Sequence, residues 1–412
     1  GATGSASWNT TVKTGDFTAV AGEGYFVNTT SGEIDVTLPA GTAGAVIAIK
    51  DYAGTFDTNA VTLTRNGSDK IGGVATNATL STEGIAVTLV FIDSTQGWLV
   101  TDSGLQNEAP TPAFITATGG TITTSGDFKI HKFTGPGTFT VCSVGNACGS
   151  NTVSYVVVAG AGGGGGSALG YYSGGGGGAG GFRESKAATD SYTASPLNAT
   201  SGPTYNLPVS AQGYPITVGA GGSAGGGSTA PDGPPARSPG GEGTNSVFST
   251  ITSARGGSGG ESGSNPGASP NGGVSGGSGG GGGGYNSNPD GGVGAGNTPP
   301  VSPPQGNAGG AGSNPNAGHG GGGGGATTAG TGSTSASSYN NAGGAGAATE
   351  VTGSAVTYSA GGISGRNPAG CAQADNGAAN TGNGGMAGAN YPGDADGGTG
   401  GSGIVIIRYK FQ

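Results

Sequence analysis

Few side chains in this sequence could act in catalysis. It has two histidines, His131 and His319, and three cysteines among 412 residues. His131 alternates with Ile130 in an apolar stretch, which favours a solvent-facing position on a strand. His319 lies between two glycines, where a surface position is favoured over contact with a ligand. A serine or cysteine triad needs a histidine beside its nucleophile, so we predict a protein that is not an enzyme.

Few carboxylates and thiols are spaced as metal ligands or acid–base groups would be. Asp394 and Asp396 lie close together in GDADGG, where a turn is favoured over a glycosidase pair. A calcium site is also disfavoured, because the full acidic spacing of a calcium loop is absent. Cys142 and Cys148 could close a short loop in an oxidising compartment or remain two thiols. The sequence therefore predicts no metal and no cofactor.

Tyrosine is the remaining side chain that could recognise a ligand. It offers an apolar face to a sugar ring and a hydroxyl at a low entropic cost, and neighbouring asparagines add amide donors. Each tyrosine could instead cap the end of a glycine-rich segment, and the sequence leaves both roles open. The prolines from Pro299 to Pro304 would stiffen one connector and preorganise it for binding. The candidate binding residues are Tyr285, Asn286, Tyr339, Asn340, His319, Tyr358 and Tyr391.

The segments that must position these residues are dominated by glycine. Of the 100 glycines, 22 lie in residues 1–150 and 78 in residues 151–412. The formal net charge is −9 and no basic stripe is present, which argues against nucleic-acid binding. The sequence contains no run of about eighteen apolar residues, the length that a membrane-spanning helix needs.

Residues 1–105 predict a small all-β, sandwich-like module. Short apolar runs recur about every ten residues with turn residues between them, as in two-sheet β domains. Residues 106–114 contain two prolines and are typical of a linker.

A second β structure, which we call the β frame, is predicted from two separate parts of the chain. Its first part is residues 115–160, and its closing strand is residues 404–412. The run VSYVVVAG at residues 153–160 is typical of a strand buried on both faces. We expect residues 153–159 and 404–412 to lie side by side in one sheet.

Residues 161–403, inserted between the two parts of the frame, predict either disorder or a polyglycine-II bundle. Polyproline-II backbone has three residues per turn and no internal hydrogen bonds, so its amides can bond to neighbouring chains. Only glycine leaves room for such neighbours on several sides. The predicted rods are Gly162–Gly166, Gly174–Gly178, Gly219–Gly227, Gly272–Gly284 and Gly318–Gly325, joined by polar connectors that differ from one another.

Several stretches of the frame resemble a known family. TGGTITTSGDFKIHKFTGPGTFTV, VSYVVVAGAGGGGG, YPITVGAGG and GGSGIVIIRYKFQ are similar to the glycine-rich C-terminal domains of bacteriophage tail fibres. SWNTTVKTGDFTAVAGEGYFVNTTSGEIDVTLPAG is similar to a β module that precedes such domains in marine and cyanobacterial phages. The resemblance implies a homotrimeric fibre on the virion, with variable tip loops that contact the host surface.

We therefore expect the distal part of a phage tail fibre, acting by adhesion. Its expected partners are a host receptor, either a glycan or an outer-membrane protein, and other tail subunits, with no nucleic acid. The alternative is a structural protein of a cell-surface filament or extracellular matrix, which would favour interchangeable glycine segments. The strongest candidate connectors are residues 285–305 and 331–341.

Overall fold

The protein is all-β in the part of the chain that the structure, a computed structural model, describes. No helix occurs among these residues, and so none is long and apolar enough to cross a membrane. The chain divides into two compact units, Gly1–Thr111 and Pro112–Gln412. The described residues are 6–105, 113–146, 149–167, 173–228, 237–263, 272–284, 292–312, 318–334, 341–365, 374–388 and 396–412.

The first unit contains two β-sheets that share one core. Their strand orders are β1-β3-β5-β8-β9 and β2-β4-β6-β7. The core residues come from both sheets and include the fully buried Trp98. The strands are β1 (Ser7–Lys13), β2 (Phe17–Thr18), β3 (Glu23–Val27), β4 (Ile34–Thr37), β5 (Val46–Asp51), β6 (Val61–Thr64), β7 (Ala78–Leu80), β8 (Ile85–Phe91) and β9 (Trp98–Leu105).

The first six strands alternate between the two sheets. β1, β3 and β5 pair in parallel in one sheet, and β2, β4 and β6 pair in parallel in the other. The chain therefore winds in coils through both sheets before β7, β8 and β9 add antiparallel strands. Alternation of apolar residues predicts the strands, but it carries no information on this parallel winding.

The second unit contains two larger antiparallel sheets and a hairpin. The sheet orders are β11-β12-β22-β14-β15, with β16 also paired to β14, and β10-β13-β17-β18-β19. β20 and β21 form the hairpin. The strands are β10 (Thr116–Thr118), β11 (Thr121–Ser125), β12 (Phe128–Phe133), β13 (Gly137–Ser143), β14 (Thr152–Val158), β15 (Phe182–Ser185), β16 (Leu207–Pro208), β17 (Gly213–Thr217), β18 (Ser246–Phe248), β19 (Ile251–Ser253), β20 (Ala347–Thr349), β21 (Val356–Tyr358) and β22 (Ile404–Lys410).

Strands β14 and β22 form the centre of the first of these sheets. They pair antiparallel, with Ser154 opposite Arg408 and Val158 opposite Ile404, which confirms the predicted pairing of the two parts of the chain. One face of the sheet packs in a core with β13, β17 and β18. The other face packs against the β20–β21 hairpin. The near-continuous apolar sequence of β14 reflects burial on both faces.

Beyond the sheets, glycine-rich segments bond to one another through their backbones with a repeat of three residues. In the segment 159–167, residues three positions apart donate their N–H groups to the same antiparallel neighbour at 2.9–3.1 Å. The donors are Ala161 and Gly164 to the segment 396–403, Gly162 and Gly165 to the segment 173–181, and Gly163 and Gly166 to the segment 237–245.

The carbonyls of the segment 159–167 follow the same repeat toward three parallel neighbours. They accept N–H groups from the segments 219–228, 254–263 and 383–388. The segment therefore has six neighbours, and successive residues point their polar groups in directions about a third of a turn apart. Every backbone amide in such an arrangement needs a partner on another segment.

Glycine is required here because neighbouring backbones occupy the space of a side chain. A Cβ added at Gly163 would lie 1.9 Å from the carbonyl oxygen of Ser223, and one added at Gly176 would lie 2.1 Å from that of Gly362. Those distances are far inside van der Waals contact. The close packing of backbones, and not backbone freedom, explains the composition.

The predicted rod Gly272–Gly284 is wrong as a single element. The chain bends at 276–278, so residues 272–277 and 278–284 run in opposite directions. The Gly280 N–H accordingly donates back to Val274 O at 2.9 Å. A run of glycines has no side-chain pattern that could mark the bend.

We expect Gly280→Ala to lower the free energy of unfolding by about 1–3 kcal/mol, the usual cost of overpacking. The added Cβ would lie 1.9 Å from Ser258 O, so segments would have to separate. Gly292→Ala is the matched control, because its Cβ would meet no atom closer than 3.9 Å. Urea unfolding of both variants measures the difference, and equal stability of the two would contradict this packing.

Candidate functional site

The glycine segments share one end, opposite the strands from which they leave, which we call the distal end. Ser228 N–H donates to Ser167 O at 3.0 Å, and Ser173 N–H donates to Gly318 O at 3.1 Å. These four residues border stretches that the structure does not describe. The described residues on both sides of each such stretch lie at the distal end; the stretches are 168–172, 229–236, 264–271, 285–291, 313–317, 335–340, 366–373 and 389–395.

Serine and asparagine side chains bond to the backbone at the distal end. Ser173 Oγ accepts the Gly320 N–H at 2.9 Å, and Ser238 Oγ accepts the Gly226 N–H at 2.8 Å. The Asn341 amide donates to Gly320 O at 2.7 Å. Among the described residues, these smaller polar side chains cap the ends of the segments, a role that the sequence also left open for tyrosines.

A carboxylate of the acidic segment near residue 394 also accepts a hydrogen bond from the backbone. Asp396 Oδ1 accepts the Gly227 N–H at 2.6 Å, which ties the segment 396–403 to the segment 219–228. Asp394 lies outside the described residues, so the pairing of the two carboxylates stays untested. Within the described ranges, no group of three or more histidine, cysteine, aspartate or glutamate side chains could hold a metal ion.

Five of the seven predicted binding residues lie outside the described residues. They belong to three of the eight stretches whose described neighbours lie at the distal end, and they are Tyr285, Asn286, Tyr339, Asn340 and Tyr391. His319 is described and also lies at this end, but it is 5% exposed. The surface position predicted for His319 is therefore wrong.

Tyr358 lies at the other end of the segments, in strand β21. Its side chain is 4% exposed and packs in the core with Val156 and Ile406. This burial raises the pKa of the Tyr358 hydroxyl to about 12. The position favours a packing role for Tyr358 over contact with a ligand.

The proline run also lies at the sheet end. Gln305 O accepts the Phe182 N–H at 2.8 Å, and Gln305 Oε1 accepts the Ala254 N–H at 2.8 Å. The predicted connector 285–305 is therefore not a single connector, because residues 292–297 belong to a bonded segment that precedes the proline run. Pro299–Pro304 stiffens a loop against β15 and β19, and not a loop at the distal end.

His131 is buried in the frame, so the prediction of a solvent-facing side chain is wrong. Its Nδ1 lies 2.7 Å from Gly119 O and its Nε2 lies 3.1 Å from the Tyr409 hydroxyl. Since a carbonyl only accepts, Nδ1 carries the proton and Nε2 accepts from Tyr409, which is the neutral form. Burial lowers the pKa of His131. Alternation with Ile130 was misleading because both faces of this sheet are covered.

A family model described as a glycine-rich domain matches residues 132–410 of the 412-residue chain. The match runs from the last residues of β12 to the end of β22 and includes all the glycine segments between them. No curated protein matches the chain.

We expect stability to fall as the pH drops below about 6.5, partly because of His131. In the unfolded chain the His131 imidazole takes up a proton near pH 6.5, whereas in the folded chain it does so only at lower pH. Acid therefore favours unfolding. His131→Gln should reduce this loss. Thermal unfolding from pH 9 to pH 5 tests it: the two stability curves should run parallel above pH 7.5 and converge below pH 6.5. Parallel curves throughout would contradict the burial of a neutral imidazole.

Proposed function

We propose that this chain, which belongs to the glycine-rich domain family, is the distal, receptor-binding part of a bacteriophage tail fibre. In this proposal it acts by adhesion and not by catalysis. It assembles as a homotrimer with other tail subunits and contacts the host surface from the virion. The resemblance of the frame and of the first unit to phage fibre sequences supports this assignment.

We infer that the glycine segments form a polyglycine-II bundle. Polyproline-II backbone turns once in three residues, and the backbone bonds of the segment 159–167 repeat every three residues. Its six neighbours correspond to a hexagonal packing of rods. Cα–H···O contacts between adjacent backbones, worth about 0.5–1 kcal/mol each, would supplement the amide bonds.

The common distal end is the observation that carries the receptor-binding proposal. The described residues on both sides of eight stretches of different sequence lie at one end of the hydrogen-bonded segments. A rigid scaffold that holds variable stretches at one end is a recurrent arrangement of binding proteins. A filament protein would have no need to collect its variable sequences at one end.

Three of these stretches carry the proposed recognition residues. Residues 285–291, 335–340 and 389–395 contain Tyr285 with Asn286, Tyr339 with Asn340, and Tyr391. Tyrosine buries a large apolar area while keeping a hydroxyl for hydrogen bonding, and asparagine adds an amide. This chemistry suits a surface glycan or a loop of an outer-membrane protein.

Catalysis has little support among the described residues. His131 is fully buried with both ring nitrogens hydrogen-bonded, and His319 is 5% exposed. Neither imidazole is accessible to a substrate as a general base. The small polar side chains at the distal end bond to the backbone, which fits a scaffold.

We expect the simultaneous replacement of residues 285–291 and 335–340 by glycine–serine stretches of equal length to abolish binding to cells of a confirmed host. Folding should persist, because the described strands and bonded segments contain none of these residues. The matched control replaces the exposed hairpin turn 352–355 at the sheet end and should bind normally. The measurement is cell binding of the full-length oligomer, with its melting temperature recorded, because several copies raise the avidity.

Normal cell binding by the double replacement would place the receptor site elsewhere on the chain. Absence of binding by the unmodified protein would instead favour the structural-filament alternative.

A further inference from the structure

A cleft opens at the sheet end, beside strand β15 and on the opposite side of the glycine segments from the distal end. Its volume is about 510 Å³, within the usual range of small-ligand sites. Arg183 contributes to its lining, and the loop 198–204 and the proline loop at 301–303 form its two walls. All of these residues are described.

Arg183 is a half-buried cation with few partners among the described residues. Its one hydrogen bond there is long, from Nη1 to Thr252 O at 3.5 Å, although a guanidinium carries five N–H donors. The neighbouring Glu184 is committed elsewhere, since it accepts from Ser195 N–H and from the Thr349 hydroxyl. Burial lowers the pKa of Arg183, as expected for a cation removed from water.

Both walls of the cleft are anchored to β15 on either side of Arg183. On one side, Gln305 O accepts the Phe182 N–H at 2.8 Å, which fixes the proline loop. On the other side, Ala199 N–H donates to Glu184 O at 2.9 Å, and Asn198 Oδ1 accepts the Lys186 N–H at 2.8 Å. The guanidinium is therefore held between two loops that need little rearrangement to receive a ligand.

The lining identifies the chemistry of that ligand. Thr200 and Ser201 present exposed hydroxyls at the rim, and Pro203 and Pro303 add apolar rings. None of the described residues that line the cleft is a carboxylate, although the whole chain has a net charge of −9. An arginine fork binds planar and tetrahedral oxyanions, while hydroxyls and proline rings suit the polar rim and apolar face of a sugar.

We propose that this cleft binds an acidic saccharide, with Arg183 holding its carboxylate, sulfate or phosphate group. The site lies far along the segments from the distal stretches and does not rest on the receptor-binding proposal. Binding there would give the protein a point of contact with charged polysaccharides that is separate from the distal end.

Isothermal titration of the full chain with sodium glucuronate, galactose 6-sulfate and glucose 6-phosphate tests the proposal. We expect binding of at least one acidic sugar, and at least a tenfold weakening in Arg183→Gln, since hydrogen bonds to charged groups are strong. Arg255→Gln makes the same charge change at an exposed ion pair with Glu242 and should bind as the parent does. Glucose and inorganic phosphate are the neutral and sugar-free probes.

A second pair of variants keeps Arg183 intact. Ser201→Glu places an anion at the rim and should weaken binding at least tenfold, whereas Ser201→Gln, of similar size, should not. Failure of all three acidic sugars to bind at millimolar concentration would overturn the proposal, as would equal binding by Arg183→Gln. Inorganic phosphate binding as tightly as the sugars would overturn the saccharide part.

Discussion

Backbone hydrogen bonding between segments without side chains is the constraint on which the second unit depends. An amide buried without a partner costs about 1–3 kcal/mol, and ordering a glycine costs more conformational entropy than ordering any other residue. The segment 159–167 meets the first demand only because six neighbours surround it. A single segment of this kind could not persist alone, so the segments must form together and be fixed at one end by the sheets.

Because the segments depend on close backbone packing, the second unit contains two kinds of sequence: the bonded glycine segments and the stretches that connect them. Many positions inside the bonded segments admit only glycine, since a Cβ at Gly163 would already collide with a carbonyl. The eight stretches between the described ends of these segments hold most of the tyrosines that the sequence singles out. This division would allow the proposed recognition sequences to vary without loss of the scaffold.

The strands could be predicted because side chains alternate along them, and the run at 153–160 even indicated burial on both faces. The same double burial made the orientation of His131 unpredictable, since Ile130 and His131 enter different cores. The bend at 276–278 could not be predicted, because glycine has no side chain to form a pattern. The sheet-end position of Pro299–Pro304 could not be predicted either, because the glycine segments before it do not mark where the chain reverses. The Arg183 cleft joins residues about 120 positions apart, beyond any motif.

The position of β22 in the sheet has a consequence for the order of folding. It lies between β12 and β14, and its first residue, Ile404, pairs with Val158. The ribosome makes both flanking strands and every glycine segment before it makes β22. Until then the sheet has an open slot at its centre, with two unpaired edges that attract other strands. Closing that slot means joining residues some 246 positions apart, a slow step of high contact order and the stage at which the newly made chain is most exposed to aggregation.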